Sequence, residues 1–230
     1  HDLRTPLTSM IGASSSYLEN EAALPPKEKR ELVSEIYEDA NWLLHMVENL
    51  LSVTRITDGG ASVLKKTPEA AEEVLFDAVS TSRKRYPDLQ IKTVIPDEFV
   101  TAPMDPLLIK QVLLNLIENA YFHARSTKPL ECTLSSTEDA IKFCIRDYGT
   151  GIAQDRLSSI FDAVPSAPSS AASTVDTRKG MGIGLSICKA IVNAHNGEIT
   201  AQNHAEGAEF RFTIPKEEIH HETNDSNPRH

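Results

Sequence analysis

Apolar residues recur at helical spacing over the first part of the chain. Over residues 1–21 the intervals between them are three, four and seven, the period of an amphipathic helix. These residues are Leu3, Leu7, Met10, Ile11 and Leu18. After Pro25-Pro26 the same pattern returns over residues 27–56. The pattern predicts two long helices joined by a short turn, an αα-hairpin. One hairpin buries its apolar stripe poorly, so we expect two copies to form a four-helix bundle.

The pattern changes after Asp58-Gly59-Gly60, where shorter segments of both periods alternate. Helices and strands follow each other without a regular βαβ rhythm, which favours an α+β sandwich with helices on one face. The predicted helices are 68–84, 105–124 and 182–195, and the predicted strands are 90–95, 98–102, 130–135, 140–146 and a closing hairpin at 197–214.

These patterns predict two domains. The helical hairpin takes residues 1–57, a linker 58–67, the α+β domain 68–216 and a disordered tail 217–230. Residues 164–179 are rich in Ser, Ala and Pro, which is typical of a surface loop.

Composition and charge exclude several classes of protein. The net charge of −10, without a basic stripe, argues against binding nucleic acid. The three cysteines lack C-x-x-C spacing, which favours free thiols in a reducing compartment. We see no apolar run long enough to span a bilayer. Since the sequence begins with His rather than Met, we expect it to be part of a longer protein.

The helix predicted at 105–124 carries an unusual polar row. Asp105 before Pro106 is a good N-cap, and Gln111, Asn115 and Asn119 follow at intervals of four. Two explanations of this polar row are equally good at this point: a stripe that faces solvent, or a ligand site. In a ligand site, the amide oxygen of Asn119 would bind Mg²⁺ and Asn115 would face the same polyphosphate, since Mg²⁺ prefers oxygen ligands.

A second motif, D-x-G-x-G, follows the strand at 140–146. Asp147 at the strand end can accept a hydrogen bond from an adenine amino group, and Gly149 and Gly151 would let the backbone approach the base. Taken alone, the motif is also compatible with a simple turn.

The third motif is glycine-rich and leads into a helix. Gly180, Gly182 and Gly184 precede the helix at 182–195, whose N-terminus would attract phosphate. No strand within a βαβ unit precedes them, which argues against a Rossmann dinucleotide site, and a Walker A sequence is absent.

In this order the three motifs resemble the N, G1 and G2 boxes of the GHKL ATP-binding fold. The opening HDLRTPL resembles the H-box of sensor histidine kinases. The resemblance covers residues 1 to about 215, and HDLRTPLT, GIGLSICKAIVNAHNGEI and FRFTIP are most similar to the KdpD-type, potassium-responsive sensor kinases. It implies a helical hairpin that dimerises into a four-helix bundle, followed by an α+β ATP-binding sandwich of the GHKL, or Bergerat, type.

The resemblance also implies roles for single residues. His1 would be the phosphoacceptor, Asp2 would handle its proton, Thr5 would serve a phosphatase reaction, and Glu118 would assist proton handling. A neutral imidazole is a competent nucleophile near pH 7, although a lone terminal histidine is more often merely solvated. The implied cofactors are ATP and Mg²⁺, with Mg²⁺ on Asn119. The implied nucleotide contacts are Asn115, Asn119, His123, Asp147, Gly149, Gly151, Lys179, Gly180, Gly182 and Gly184.

The expected partners follow from the same resemblance. They are a second copy of the chain, bound through residues 1–57, and the receiver domain of a response regulator, with no nucleic acid. A membrane would be reached only through an upstream part of the protein, so we expect this part to be the cytoplasmic portion of an inner-membrane or plasma-membrane sensor.

Some positions depart from the family pattern and keep other functions open. Phe122 stands where a basic residue is usual, with His123 beside it; the F-box is reduced to IFDAV; and Tyr148 replaces a small or polar residue. One alternative is a kinase-impaired phosphatase or scaffold with a weak ATP site. A GHKL ATPase of the chaperone, topoisomerase or mismatch-repair kind is disfavoured, because no residues remain for a transducer domain.

Overall fold

The computed structural model describes residues 3–57, 64–124, 126, 128–162 and 183–217. The chain divides into two compact units, residues 1–54 and 55–230. Most of the predicted linker, the predicted loop at 164–179 and almost all of the predicted tail lie outside the described residues.

The first unit is formed by the predicted helical hairpin. Helix α1 spans Arg4–Asn20 and helix α2 spans Pro26–Thr57. The carbonyl of Asn20 accepts bonds from the backbone N–H groups of Ala23 and Leu24, which closes the turn. Pro26 is the first residue of α2, where its missing N–H costs no helical hydrogen bond.

The buried positions of the hairpin are mostly small or polar. They are Pro6, Ala13, Asp39, Met46, Asn49 and Ser52. Several large apolar residues, such as Leu32, Ile36 and Leu43, are half-buried, and others are exposed. On α1 the exposed ones are Leu7, Ile11 and Leu18, preceded by Leu3, and on α2 they are Val33, Tyr37, Leu44, Val47, Leu50 and Leu51. Their spacing is helical, so each helix carries an apolar stripe that the hairpin itself does not cover.

The described residues of the second unit form two sheets and three helices. The strands are β1 (Thr67–Ala70), β2 (Ile91–Val94), β3 (Thr101–Met104), β4 (Leu130–Ser136), β5 (Ala140–Arg146), β6 (Ile199–His204) and β7 (Gly207–Pro215). The helices are α3 (Ala71–Arg85), α4 (Pro106–His123) and α5 (Ile183–Ala194). Five strands form a mixed sheet in the order β2-β4-β5-β7-β6, in which only β2 and β4 pair in parallel, and β1 pairs with β3 in a second sheet. The expected α+β class is confirmed.

Alternation along the strands gives the large sheet one apolar face. Ile141, Phe143 and Ile145 of β5 are buried, and so are Phe210 and Phe212 of β7. The helices α3, α4 and α5 pack on the sheet and form the core with these residues. The rings of Phe143 and Phe212 stack with centroids 4.7 Å apart.

The opposite face of the sheet is polar. Its centre is Glu209, which is buried to 1% exposure and paired with Arg146 and Arg211, while Gln202 donates to it at 2.9 Å. A buried carboxylate needs such partners, because an unpaired charge removed from water is costly.

The predicted helix at 68–84 was wrong at its start, since residues 67–70 form strand β1. The run EAAEE favours a helix, but pairing with β3 keeps Ala70 extended. The strand predicted at 98–102 is displaced to 101–104. Its first residues are held by the start of α3 instead. The N–H of Val100 donates to Glu72 Oε1 at 2.8 Å, and its carbonyl accepts from Ala71 N.

His195 joins the end of α5 to the start of α4. It is buried, its Nε2 accepts a hydrogen bond from the backbone N–H of Asp105 at 3.0 Å, and its Nδ1 therefore donates to the carbonyl of Ile191 at 2.8 Å. Burial lowers the pKa of His195 below its ordinary value, although the bond to Ile191 opposes this shift. Both ring nitrogens are satisfied in the neutral form, which an added proton on Nε2 would disrupt.

We predict that His195 makes the second unit less stable in acid. Above pH ~6.5 the imidazole is neutral in both states, whereas below it the unfolded chain binds a proton that the folded chain resists. The free energy of unfolding therefore falls as the pH falls, by at most about 1.4 kcal/mol per pH unit from this group. Urea titrations between pH 7.5 and 5.5 measure the slope. His195→Gln should flatten it; equal slopes for wild type and His195→Gln would contradict the prediction.

Candidate functional site

Helix α4 positions the polar row. The predicted N-cap is confirmed, because Asp105 Oδ1 accepts from the N–H groups of Leu107 and Leu108 at 3.0 and 3.1 Å. Gln111 and Asn115 are buried, so this part of the row is not a solvent-facing stripe. Asn115 accepts from Gln111 Nε2 at 3.1 Å and donates to the carbonyl of Gly184 at 3.3 Å. Asn115 thus ties α4 to the start of α5.

Asp147 directly follows β5, and it is buried with 4% of its surface exposed. Its Oδ1 accepts from the N–H groups of Gly149 and Ala208, both at 3.1 Å, and its own N–H donates to the carbonyl of Ala208 at 2.9 Å. No hydrogen bond from a described residue reaches Oδ2. Burial raises the pKa of Asp147 above its ordinary value, and the two backbone hydrogen bonds oppose this shift.

A cavity joins α4 to the D-x-G-x-G motif. It is lined by Asn119, His123 and Ala124 from the end of α4, by Asp147, Gly151 and Ile152, and by Ala208 and Phe210 from β7. Two motifs that are distant in sequence therefore meet at one place. The lining combines a carboxylate and an amide with apolar walls, which suits a flat heteroaromatic ring with polar edges.

Glycine is required at the two positions of the motif for different physical reasons. Gly151 has φ +71°, a left-handed conformation that favours glycine. A Cβ on Gly149 would lie 1.9 Å from the carbonyl oxygen of Ala124, and the N–H of Thr150 donates to that same oxygen at 3.2 Å. Gly149 thus packs against the end of α4, and its role in letting the backbone approach a base stays a prediction.

Glu118 is buried on the side of α4 that faces α3. Its Oε1 accepts from Arg85 Nη1 at 2.5 Å and from the hydroxyl of Tyr86 at 3.2 Å. It does not line the cavity. Phe122 packs edge-on against Tyr86 and Tyr121, with centroids 5.5 and 5.1 Å apart. The residue that replaces the usual basic side chain thus belongs to an aromatic cluster with α3.

The remaining predicted site residues are only partly described. Thr5 is exposed on the first turn of α1. Gly184 lies at the start of α5, where a Cβ would have only ordinary contact, 3.8 Å from the Asn115 side chain. His1, Asp2, Lys179, Gly180 and Gly182 lie outside the described residues.

Sequence reasoning missed three residues at the turn between β6 and β7. The Asn203 side chain accepts from the N–H of Ile152 at 2.8 Å and donates to its carbonyl at 2.7 Å. His204 Nε2 donates to the carbonyl of Asp147 at 2.8 Å. A Cβ on Gly207 would lie 2.4 Å from that same carbonyl oxygen. The pattern of residues 197–214 indicates only a hairpin, and nothing in it identifies the segment that this hairpin contacts.

Within the ranges given above, no three His, Cys, Asp or Glu side chains are grouped in a way that would hold a metal ion. None of the helices in these same residues has the length and apolar character to cross a bilayer.

Comparison with known proteins identifies both units. The family described as "Histidine kinase-, DNA gyrase B-, and HSP90-like ATPase" matches residues 104–218, and the "His Kinase A (phospho-acceptor) domain" matches residues 1–59. The sensor protein KdpD of Clostridium acetobutylicum is 41% identical over 94% of this chain, and KdpD of Escherichia coli K12 is 34% identical over 94%. This chain spans 24% of the length of each.

Solved structures share the fold. The histidine kinase ThkA in complex with the response regulator protein TrrA superposes with a TM-score of 0.68 at 22% identity, covering 94% of this chain and 59% of that chain. Full-length ShkA in complex with AMPPNP superposes with a TM-score of 0.62 at 25% identity, covering 94% of this chain and 44% of that chain.

We predict that two motif glycines differ sharply in their tolerance of a methyl group. Gly149→Ala should lower the free energy of unfolding by about 3 kcal/mol, because the backbone at Ala124 cannot move away from the new Cβ. Gly184→Ala, the matched control, should change it by less than about 1 kcal/mol, because among the described residues its Cβ would make only ordinary contact with Asn115. Chemical denaturation without nucleotide measures both, and similar losses in the two variants would contradict the prediction.

Proposed function

We propose, because this chain belongs to the sensor histidine kinases, that it transfers the γ-phosphoryl group of ATP to His1 and then to an aspartate in the receiver domain of a response regulator. The observation that carries the proposal is the Asp147 carboxylate. One of its oxygens is held by two backbone N–H groups, and the other has no described partner in a cavity that Asn119 also lines.

The cavity supports binding of the adenine base. Asp147 Oδ2 can accept a hydrogen bond from the exocyclic amino group, while Ile152, Ala208 and Phe210 supply apolar walls. Asn119 and His123 lie at the same cavity, on the last turn of α4, and we assign them to the phosphate side. The ShkA complex with AMPPNP, an ATP analogue, supports the choice of nucleotide.

Mg²⁺ fits the donors present, since the Asn119 side chain offers a hard oxygen ligand beside the cavity. When bound, the ion would neutralise charge on the phosphate oxygens. Phosphate contacts by Lys179, Gly180, Gly182 and Gly184 remain part of the proposal. The buried amide of Asn115 supports this arrangement indirectly, because it holds Gly184 at the start of α5.

In the proposed reaction, a ring nitrogen of His1 attacks the γ-phosphorus. A P–N bond forms, the bond between this phosphorus and the bridging oxygen breaks, and ADP leaves. Asp2 takes or holds the proton of the other ring nitrogen. In the separate phosphatase reaction, Thr5, exposed on α1, would position the water that hydrolyses the aspartyl phosphate of the response regulator, releasing inorganic phosphate. Oε1 of Glu118 is bonded to Arg85 and Tyr86, and Glu118 does not line the cavity, so a role in proton handling requires it to act from outside the lining.

The hairpin supports a homodimer. The phospho-acceptor domain matched by residues 1–59 is a dimerising one, and the stripes on α1 and α2 offer apolar surface that the hairpin leaves exposed. We propose that two hairpins bury these stripes in a four-helix bundle. The ThkA complex supports a response regulator as the second partner. We also propose that the chain is the cytoplasmic part of a longer, membrane-anchored sensor.

A second candidate function is a kinase-impaired phosphatase or scaffold. The aromatic cluster of Phe122, Tyr86 and Tyr121 favours it, because Phe122 occupies the place of a phosphate-binding cation. In this case the site would bind nucleotide but would transfer phosphate slowly.

We predict that incubation with Mg²⁺ and γ-labelled ATP labels the chain on His1. The label should resist alkali and be lost in acid, as expected of a phosphorus–nitrogen bond, and His1→Gln should remove it. His230→Gln, a change to another terminal histidine, is the control and should keep it. ATP binding without label would favour the phosphatase or scaffold, and a label that survives in His1→Gln would contradict the phosphoacceptor.

We predict that Asp147→Asn raises the Kd for ATP at least about tenfold. The amide keeps one acceptor oxygen for the N–H groups of Gly149 and Ala208, but it turns an NH₂ group towards the amino group of adenine, so two donors meet. Titration with a fluorescent ATP analogue, displaced by ATP, measures the constant. Asp139→Asn, an exposed carboxylate in the turn between β4 and β5, should leave it unchanged; an equal Kd for both variants would contradict the role of Asp147.

A further inference from the structure

At the turn between β6 and β7, Asn203 and His204 form hydrogen bonds with the D-x-G-x-G segment. Asn203 does not line the cavity, but it contacts Ile152, which does. We propose that Asn203 is a positioning residue of the nucleotide site, which sets the affinity for the adenine base by holding the backbone at Gly151 and Ile152. The inference rests on the proposed function and names a residue that acts through the lining rather than on the ligand.

The side-chain amide of Asn203 bonds to Ile152 in the way that the backbone of a neighbouring strand would. It accepts from the N–H of Ile152 and donates to the carbonyl of the same residue. The Asn203 Oδ1 atom also lies 3.0 Å from the place where a Cβ on Gly151 would be. The side chain, the left-handed glycine and the following residue therefore fit together as one unit.

A second fastening holds the other end of the segment. His204 donates from Nε2 to the carbonyl of Asp147, and its Nδ1 accepts from the N–H of Glu206 at 3.3 Å. The ring of Tyr148 packs edge-on against His204 with centroids 5.6 Å apart, and the ammonium group of Lys128 lies 5.2 Å from the centre of the Tyr148 ring. The unusual Tyr148 thus belongs to the contact between the D-x-G-x-G segment and the β6–β7 turn.

The hydrogen bonds of His204 and Asn203 differ in how much the residues that they hold depend on them. Asp147 is fixed by His204 and also by one backbone and one side-chain hydrogen bond to Ala208, so it has several constraints. The carbonyl and N–H of Ile152 are both bonded to Asn203, and the segment beyond Gly149 has no sheet partner in the pairings of the described strands. Loss of Asn203 should therefore release Gly151 and Ile152 from the cavity wall while Asp147 stays in place.

A role in positioning predicts a specific kinetic signature. The released segment must be ordered again when the base binds, so affinity falls, whereas phosphoryl transfer occurs at the far end of the nucleotide and keeps its rate. Two modest hydrogen bonds correspond to a change of about tenfold in affinity. A merely structural role would lower the thermal midpoint and the amount of active protein without changing the Kd for ATP.

The test uses the full chain and four variants. Asn203→Ala removes both hydrogen bonds, and Asn203→Asp keeps the shape but places an oxygen against the carbonyl of Ile152. Gln202→Ala is the matched control, because Gln202 precedes Asn203 on β6 and bonds to Glu209 on the opposite face. Asp147→Asn is the reference for the base site. Four quantities are measured for each variant. They are the Kd for ATP, the ATP concentration that gives half the maximal labelling rate (KM), the maximal rate constant of labelling (kcat) and the thermal midpoint.

We expect Asn203→Ala and Asn203→Asp each to raise the Kd and the KM for ATP about tenfold, with kcat within about twofold of wild type. Gln202→Ala should leave all three unchanged. If Asp147→Asn weakens ATP binding while both Asn203 variants bind normally, or if they lose only stability or kcat, the positioning role is overturned and the proposed function stands. If Asp147→Asn also binds normally, the base site itself is misassigned and both proposals fail.

Discussion

The second unit depends on one buried carboxylate and the two backbone N–H groups that hold it. Asp147 Oδ1 binds the N–H of Gly149 and the N–H of Ala208, so a single atom joins the loop after β5 to strand β7. A carboxylate away from water needs such donors, and the donors need it in turn. The position of Gly149 brings the loop against Ala124, so the same interaction also fixes the end of α4.

The two units solve the problem of burying apolar surface in different ways. The second unit covers one face of its sheet with three helices and leaves a polar face, where Glu209 is neutralised by two arginines. The hairpin differs, because many of its large apolar residues are exposed, and the buried carboxyl oxygen Asp39 Oδ2 has no hydrogen bond from a described residue. The first arrangement is complete within one chain, and the second leaves apolar surface for a partner.

The sequence allowed most of the fold to be predicted where periodicity was long and unbroken. The helices of the hairpin, α4 with its Asp105 cap, and the alternating strands β4 and β5 were predicted correctly, because local pattern and tertiary burial agree there. Strand β1 was missed because its pairing with β3 overrides a helix-forming sequence. At the site, the pattern singled out Asn119 and Asp147, which the structure brings to one cavity, but it did not indicate that Gly149 packs against Ala124. It could not find Asn203, whose importance lies in a contact across 51 positions of sequence.

The exposed apolar stripes of α1 and α2 have a consequence for the stability of the first unit. A pair of helices with small and polar residues between them gains little from packing on itself, and isolated helices are only marginally stable in water. In the proposed dimer, folding and association of residues 1–54 would be a single event, whose midpoint moves with the amount of protein present. A force that shears or twists the helices would then act directly on that shared equilibrium, and through it on the helix that follows the proposed phosphoacceptor.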